Sequence, residues 1–162
     1  MTAIGFHVVG LPAPQGSKRH VGNGVMIESS KKVKPWRQDV VAAALDHRPA
    51  TPLDGPLFAY MVFTLPRPKS AVKARTAPDR TPDLSKLLRS TEDALTTAGL
   101  WADDARVVDY VRAAKVWWGH DDFALPVPGA LIVVGTSYAE VTMAIPRALA
   151  AALSALTPTE ER

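Results

Sequence analysis

The sequence predicts a single α+β domain, built from a mixed β-sheet of about four to five strands packed with helices. Three observations lead to this prediction. The chain has 162 residues, enough for one domain with its own core. Its composition, 47% hydrophobic and 22% charged, is that of an ordinary globular protein. Segments rich in β-forming residues are interspersed with three helical segments, and the chain shows no internal repeat.

The N-terminal half predicts two main strands with a helix between them. Residues 4–12 are rich in β-formers and stop at a glycine and a proline, which is typical of a strand end. Residues 24–28 follow a Gly-Asn-Gly turn and predict a short hairpin strand. A helix is predicted over 35–47, with proline at the first helical position and alanines after it. The dense β-formers of 57–66 predict the next strand.

The C-terminal half adds an amphipathic helix, two strands and a last helix. The amphipathic helix is predicted from about residue 83 to Gly99, because leucines recur at helical spacing and glycine is favoured at a helix C-terminus. Residues 107–117 and 130–135 predict strands. An alanine-rich helix is predicted from about Pro146. We expect residues 1–137 to form the domain and residues 138–162 to form a C-terminal helical extension and tail.

Cysteine usage and the N-terminus bear on the cellular compartment. The chain has no cysteine, which excludes disulfides and thiolate metal sites and fits the cytoplasm. The first ten residues place no basic segment ahead of an apolar run, so they do not form a signal peptide. The apolar stretches are too short for a bilayer, which takes roughly 20 residues. We therefore expect a soluble, cytoplasmic protein with no membrane partner.

Two segments hold much of the positive charge. The formal net charge is +3 and the sequence pI about 9.3, so nucleic acid is a candidate partner. Residues 15–37 contain six lysines and arginines against one acid, and residues 67–82 contain five against one. Each segment is either a solvated surface loop or an arm that contacts phosphates.

Five carboxylates lie on the amphipathic helix or on the turn that follows it. Mg²⁺ prefers oxygen ligands, and a nuclease site needs a few converging acids with basic residues nearby. Each acid also has a structural explanation, as a helix cap, a solvated helix face or a turn. The four histidines lack metal-ligand spacing, and no glycine-rich nucleotide loop is present. The five acids are Asp83, Glu92, Asp93, Asp103 and Asp104.

The order of several motifs resembles the RusA family of Holliday-junction resolvases. That family has an Asp-x-Asp-Asn/Lys-Leu-x-Lys/Arg element that opens a helix, then "DAL", a glycine, an aromatic residue and "DDxxVV". Here "PDLSKLLRSTEDAL", "AGLW" and "DDARVV" follow in that order with matching gaps. The N-terminal "GLPAPQGSKR" and "KPWR" are similar to the family's opening strand, basic loop and helix start. The resemblance extends over roughly residues 6–115.

The resemblance implies a homodimeric, Mg²⁺-dependent endonuclease, with Mn²⁺ as a plausible substitute. Such an enzyme binds four-way DNA junctions by shape and makes paired symmetric nicks in recombination and repair. In the family, both acids of Asp-x-Asp and the second Asp of "DD" bind metal, and a following basic residue assists. Asp83 and Asp104 match these acids and Arg89 matches the basic position, so these three are the expected catalytic residues. Ser85 stands where the second acid is expected.

Glu92 is the candidate replacement for the acid missing at Ser85. It lies seven residues later, on the same helix face and about 10 Å further along the axis. Arg89 keeps its proton, so we expect it to clamp a phosphate rather than act as an acid. The expected metal ligands are Asp83, Glu92 and Asp104, with Asp103 or Asp93 in support. The expected DNA-backbone contacts are Lys18, Arg19, Lys31, Lys32, Lys34, Arg75 and Arg80.

Two other functions remain open at this point. Because Ser85 removes a negative charge from the site, the chain could be a catalytically impaired protein that binds junctions without cutting them. It could also be a small metabolic enzyme that uses the acids on a phosphorylated ligand, although the basic segments argue against this.

Overall fold

The computed structural model describes residues 3–16, 18–28 and 31–158, and only the backbone for 18–20 and 26–28. Within these ranges the chain forms six strands and three helices, and a 3-10 turn at Asp104–Arg106 precedes the fifth strand. The strands are β1 Ile4–Val9, β2 Lys18–His20, β3 Met26–Glu28, β4 Leu57–Thr64, β5 Val107–Val116 and β6 Gly129–Gly135. The helices are α1 Val33–Leu45, α2 Leu84–Ala98 and α3 Tyr138–Leu156.

Four of the strands form one mixed sheet in the order β1-β6-β4-β5. β6 pairs antiparallel with both β1 and β4, whereas β4 and β5 are parallel. β2 and β3 form a separate antiparallel hairpin. This arrangement confirms the predicted α+β domain with a mixed sheet packed with helices.

The sheet is covered by helices on both faces. On one face α1 and α2 pack over a core that includes Trp36, Phe63 and Leu95. On the other face α3 packs over a core that includes Val133 and Ile145. Alternate side chains of a strand point to opposite faces, so the central strands β4 and β6 are buried along almost their whole length. The site described below lies on the α2 side of the sheet.

The first and the last helix, α1 and α3, both begin earlier than predicted. α3 begins at Tyr138 rather than near Pro146, because the Ser137 hydroxyl accepts a hydrogen bond from the backbone N–H of Glu140 and caps the helix. Pro146 therefore lies inside the helix. α1 begins at Val33 rather than at the proline two residues later, which is compatible with proline because backbone N–H groups of a first turn have no helical partner.

α3 corrects the expectation that no segment is long enough to cross a membrane. It has 19 residues and a mean hydropathy of 1.3, which meets the criterion by length and composition only. One side of the helix, including Val141, Ala148 and Ala152, is buried against the sheet. Residues buried inside the molecule make up 28% of the 18-residue window that meets this criterion. The residues predicted to form a C-terminal extension thus cover one face of the sheet.

Candidate metal and DNA-binding site

α2 positions most of the predicted site residues. Asp83 is its N-cap, with extended backbone, and Gly99 is its C-cap, with a left-handed φ of 75° that glycine adopts without strain. Leu87 and Leu95 are fully buried against the sheet. The opposite, polar side of the helix is thereby directed away from the core.

Hydrogen bonds fix the N-terminal half of α2 against neighbouring segments. The Ser90 hydroxyl donates to the carbonyl of Ala13 at 2.6 Å, and the Gln15 backbone N–H donates to the carbonyl of Lys86 at 2.9 Å. Residues 11–16 consequently lie alongside the first turns of α2. From α1, the indole N–H of Trp36 donates to the buried hydroxyl of Thr91 at 3.1 Å.

Glu92 is half-buried on α2 and contacts β5. Its carboxylate accepts a hydrogen bond from the hydroxyl of Tyr110. Burial raises the pKa of Glu92, and the negative charges of Asp104 and Asp93 raise it further, while the Tyr110 hydrogen bond and Arg89 act in the opposite direction. Glu92 and Asp104 are therefore close enough for their charges to repel. Two acids of the predicted metal set are thus within electrostatic range of each other.

Tyr110 is a site residue that the sequence analysis missed. Burial and the neighbouring carboxylate of Glu92 raise the pKa of Tyr110 well above its usual range. The hydroxyl therefore keeps its proton and serves as a donor. The way in which β5 lies along α2 determines which strand residue contacts Glu92. No local sequence pattern specifies this alignment.

Asp103 and Asp104 have different environments although they are adjacent. Asp103 is the N-cap of the 3-10 turn, and its side chain accepts a hydrogen bond from the Ala105 N–H at 2.7 Å. Asp104 is the first residue of that turn. Of the two, Asp104 is the acid whose charge raises the pKa of Glu92.

Asp83 lies at the N-terminus of α2, whereas Glu92 lies in the middle of the helix. The two residues are nine positions apart, or about 13 Å along the helix axis. Asp83 is exposed and forms an ion pair with Lys86 at 3.4 Å. Within the described ranges, no three histidine, aspartate or glutamate side chains gather as a metal-binding group. Asp93, the other supporting acid, pairs with Arg37 of α1 at 2.5 Å.

A polar cleft lies at the first turns of α2. It has a volume of about 460 Å³. Its position is favourable for an anion, because the backbone N–H groups of a first turn are unpaired and the helix dipole is positive there. Arg89 and Ser85 are both exposed in it. The polar cleft is lined by Gln15, Gly16, Ser85, Lys86 and Arg89.

A second, mostly apolar depression lies on the other side of Asp83, and we call it the proline groove. It has a volume of about 590 Å³. β5 braces its edge, because the ammonium group of Lys115 donates to the carbonyls of Arg80 and Pro82 at 2.5 and 2.8 Å. The proline groove is lined by Leu11, Pro12, Ala13, Pro14, Lys32, Leu65, Pro66, Pro68, Ser70, Arg75, Pro78, Arg80, Thr81, Pro82 and Trp117.

The predicted DNA-contacting residues whose side chains are described line two depressions of the surface. Lys31 and Lys34 line a depression between α1 and α2, whereas Lys32, Arg75 and Arg80 line the proline groove. The side chains of Lys18 and Arg19 lie outside the described residues.

Arg75 is already engaged within the protein. Its guanidinium lies 5.1 Å from the centroid of the Trp117 ring and pairs with Asp79 at 2.5 Å.

Comparison with known proteins agrees with the resemblance seen in the sequence. The family model for Endodeoxyribonuclease RusA matches residues 10–121. The chain is also 33% identical over 121 residues to the "Uncharacterized protein YqaN" of Bacillus subtilis (strain 168), and the match covers 67% of this chain and 84% of that protein. The region that the family model matches begins just after β1 and includes α2, the 3-10 turn at Asp104–Arg106 and β5. This chain belongs to the RusA endodeoxyribonuclease family.

Proposed function

We propose that the chain is a Mg²⁺-dependent endonuclease that resolves four-way DNA junctions in recombination and repair by paired symmetric nicks. It would act in the cytoplasm as a homodimer. The observation that supports this most directly is that Glu92, which accepts a hydrogen bond from Tyr110, lies within electrostatic range of Asp104 and Arg89 in a chain of the RusA family.

Glu92 and Asp104 fit a hard divalent cation. Both supply carboxylate oxygens, and a cation bound between them would offset the repulsion that Asp104 exerts on the charge of Glu92. When bound, Mg²⁺ polarises a scissile phosphate and activates a water molecule. Mn²⁺ has the same ligand preference and could substitute. Asp103 supports Asp104 by capping the turn that holds it.

Asp83 and Arg89 belong to the substrate side of the proposed site. Arg89 lines the polar cleft and lies three residues before Glu92, so it can hold a phosphate next to the acids. Asp83 stays in the proposal as the acid that the family motif assigns to this position. Its place at the N-terminus of α2, about 13 Å along the axis from Glu92, would put it beside the incoming DNA strand and away from an ion bound at Glu92.

The basic residues around the site would hold the DNA backbone. Such contacts position a nucleic acid without specifying sequence, and they release counterions on binding. A C₂ dimer would present two active sites to two strands of a near-symmetric junction. We assign backbone contacts to Lys18, Arg19, Lys31, Lys32, Lys34, Arg75 and Arg80.

A second function, junction binding without cleavage, is favoured by one observation. Ser85 replaces an acid of the family motif, so the site carries one negative charge fewer than the family pattern. In this case the basic surface would bind the junction and the acids would only support the fold.

One experiment separates the two functions. A labelled synthetic four-way junction is incubated with Mg²⁺ and either the wild-type protein, Asp104→Asn or the control Asp46→Asn, whose carboxylate is exposed at the end of α1. Fluorescence anisotropy measures binding and denaturing gels measure cleavage. We expect all three proteins to bind, and only Asp104→Asn to lose cleavage. Binding without cleavage by the wild type, with Mg²⁺ and with Mn²⁺, establishes the second function instead.

A further inference from the structure

We propose that the proline groove binds an unpaired nucleobase of the junction, next to a phosphate held in the polar cleft. The inference rests on the proposed function and deepens it, because it specifies the state of the DNA strand at the site. A resolvase with this groove would hold at least one nucleotide out of the base stack.

The composition of the groove suits the flat face of a base. Six of its lining residues are prolines, and the ring of Trp117 lies at its edge under two guanidinium groups. Its volume of about 590 Å³ falls in the range of sites that enclose a small molecule. A paired base in a duplex has both faces stacked and offers only its edges, so a groove with apolar walls favours an unstacked base.

The groove and the polar cleft are adjacent along the same backbone. Residues 11–14 line the groove, and Gln15 and Gly16 line the cleft. On the α2 side, Pro82 lines the groove and Ser85 lines the cleft, with Asp83 between them. A nucleotide likewise joins an anionic phosphate to a planar base through a short sugar. The order of the two depressions along the chain is therefore the order of base and phosphate expected for one nucleotide of a strand that passes Asp83.

The charges of the groove favour a nucleic acid over a neutral ligand. All the charged residues that line it in the described part of the chain are basic: Lys32, Arg75 and Arg80. Arg80 and Lys32 are exposed, so they can contact phosphates on either side of a bound base.

Several contacts hold the groove in shape. The guanidinium groups of Arg67 and Arg75 lie 5.2 and 5.1 Å from the centroid of the Trp117 ring. Arg67 also donates to the carbonyl of Val72 at 3.0 Å, and Lys115 holds the end of the loop next to α2. A preformed groove binds without the cost of ordering its walls.

The test uses a junction that carries 2-aminopurine beside the point of strand exchange, because this base becomes more fluorescent when it leaves the stack. Metal is omitted so that no cleavage occurs, and anisotropy reports binding on the same samples. Ser70→Leu places a bulky side chain in the groove at an exposed position. Ser154→Leu makes the same change at an exposed position on α3, behind the sheet.

We expect a fluorescence rise with the wild type and with Ser154→Leu at saturating protein. Ser70→Leu should lose this rise and bind the junction roughly tenfold more weakly, in keeping with the loss of one base contact. If Ser70→Leu gives the same rise as the wild type, or if the wild type binds without any rise, the inference is wrong and the proposed function stands. If the wild type does not bind the junction, both are wrong.

Discussion

The hydroxyl of Tyr110 on β5 donates a hydrogen bond to the carboxylate of Glu92 on α2. Further along the same strand, Lys115 donates to the carbonyl of Pro82, just before α2 begins. β5 therefore runs back along α2, from its C-terminal half to its N-terminus. One strand therefore contacts both Glu92 and the loop that precedes Asp83.

Tyr110→Phe should lower Mg²⁺-dependent cleavage while leaving the fold intact. The change removes only the hydroxyl that orients Glu92, and the loss of such an outer contact commonly costs about 10- to 100-fold in metal affinity or activity. Cleavage rates measured across a Mg²⁺ titration should show a higher Mg²⁺ requirement. Tyr138→Phe, at an exposed tyrosine on α3, is the matched control. Equal rates for Tyr110→Phe and the wild type at every Mg²⁺ concentration would show that Tyr110 does not position Glu92 for metal binding.

Glu92→Gln and Asp93→Asn should have different effects although the residues are adjacent. Glu92 interacts with Asp104 in the proposed metal site, whereas Asp93 pairs with Arg37 of α1. We expect Glu92→Gln to reduce Mg²⁺-dependent cleavage by roughly 100-fold or more and to retain junction binding.

Asp93→Asn should retain cleavage and lose about 1 kcal/mol of unfolding free energy or less, as for other partly exposed ion pairs. Single-turnover cleavage and urea denaturation measure the two effects. Full Mg²⁺-dependent cleavage by Glu92→Gln would exclude Glu92 from the metal site.

Ser85→Asp restores the acid of the family motif, yet we expect it to weaken the protein's action on junctions. Ser85 shares the polar cleft with Lys86 and Arg89, so a carboxylate here would compete with a DNA phosphate. Junction affinity should fall several-fold, about the effect of losing one phosphate contact. Ser85→Asn serves as the neutral control of similar size. Higher cleavage by Ser85→Asp at low Mg²⁺ would place the ion near the start of α2 instead.

The features that the sequence predicted well are local ones. The spacing of leucines defined α2, glycine at position 99 defined its end, and the ordered acidic and basic motifs identified the family. The start of α3 was wrong because Pro146 was taken as a first-turn residue, while the cap at Ser137 begins the helix earlier. Each of these features, including the overlooked cap at Ser137, depends on a short-range pattern that a sequence displays directly.

The features that the sequence did not provide depend on tertiary register. Tyr110 and Lys115 have no local signal that assigns them to Glu92 and Pro82, because only the pairing of β5 with β4 and its path along α2 bring them there. The proline groove likewise combines residues from the N-terminal segment and from the loop before α2. Its walls meet only in the folded chain.

Lys115→Met should slow cleavage more than it weakens junction binding. The ammonium group holds the carbonyls of Arg80 and Pro82, so its loss frees the loop that leads to Asp83. We expect cleavage to fall by roughly tenfold, which corresponds to the loss of about one charged hydrogen bond. Single-turnover rates and anisotropy distinguish the two effects. Lys73→Met, at an exposed position in the same loop, is the control, and an equal change in both variants would contradict the bracing role.

Asp121 should stabilise the fold at neutral pH and lose this effect in acid. Arg112 donates to both carboxylate oxygens at 3.1 and 2.5 Å, and these hydrogen bonds hold the pKa of Asp121 below its ordinary value of 3.8. A carboxyl whose folded-state pKa is lowered stabilises the protein above its ordinary pKa, and the contribution disappears as the pH falls through the lowered value. For a bidentate, partly exposed ion pair of this kind, the contribution to the free energy of unfolding is about 1 kcal/mol.

Asp121→Asn should therefore lower Tm by roughly 2–4 °C at pH 7, the usual shift for 1 kcal/mol in a chain of this size. The difference from the wild type should shrink steadily as the pH is lowered below 3.8, because the wild type then loses the charge that the variant lacks. Thermal unfolding followed by circular dichroism at a series of pH values measures both. Asp122→Asn, at the neighbouring exposed acid, is the control. A Tm difference that stays constant from pH 7 into the acid range would show that the Asp121 side chain acts through packing rather than through its charge.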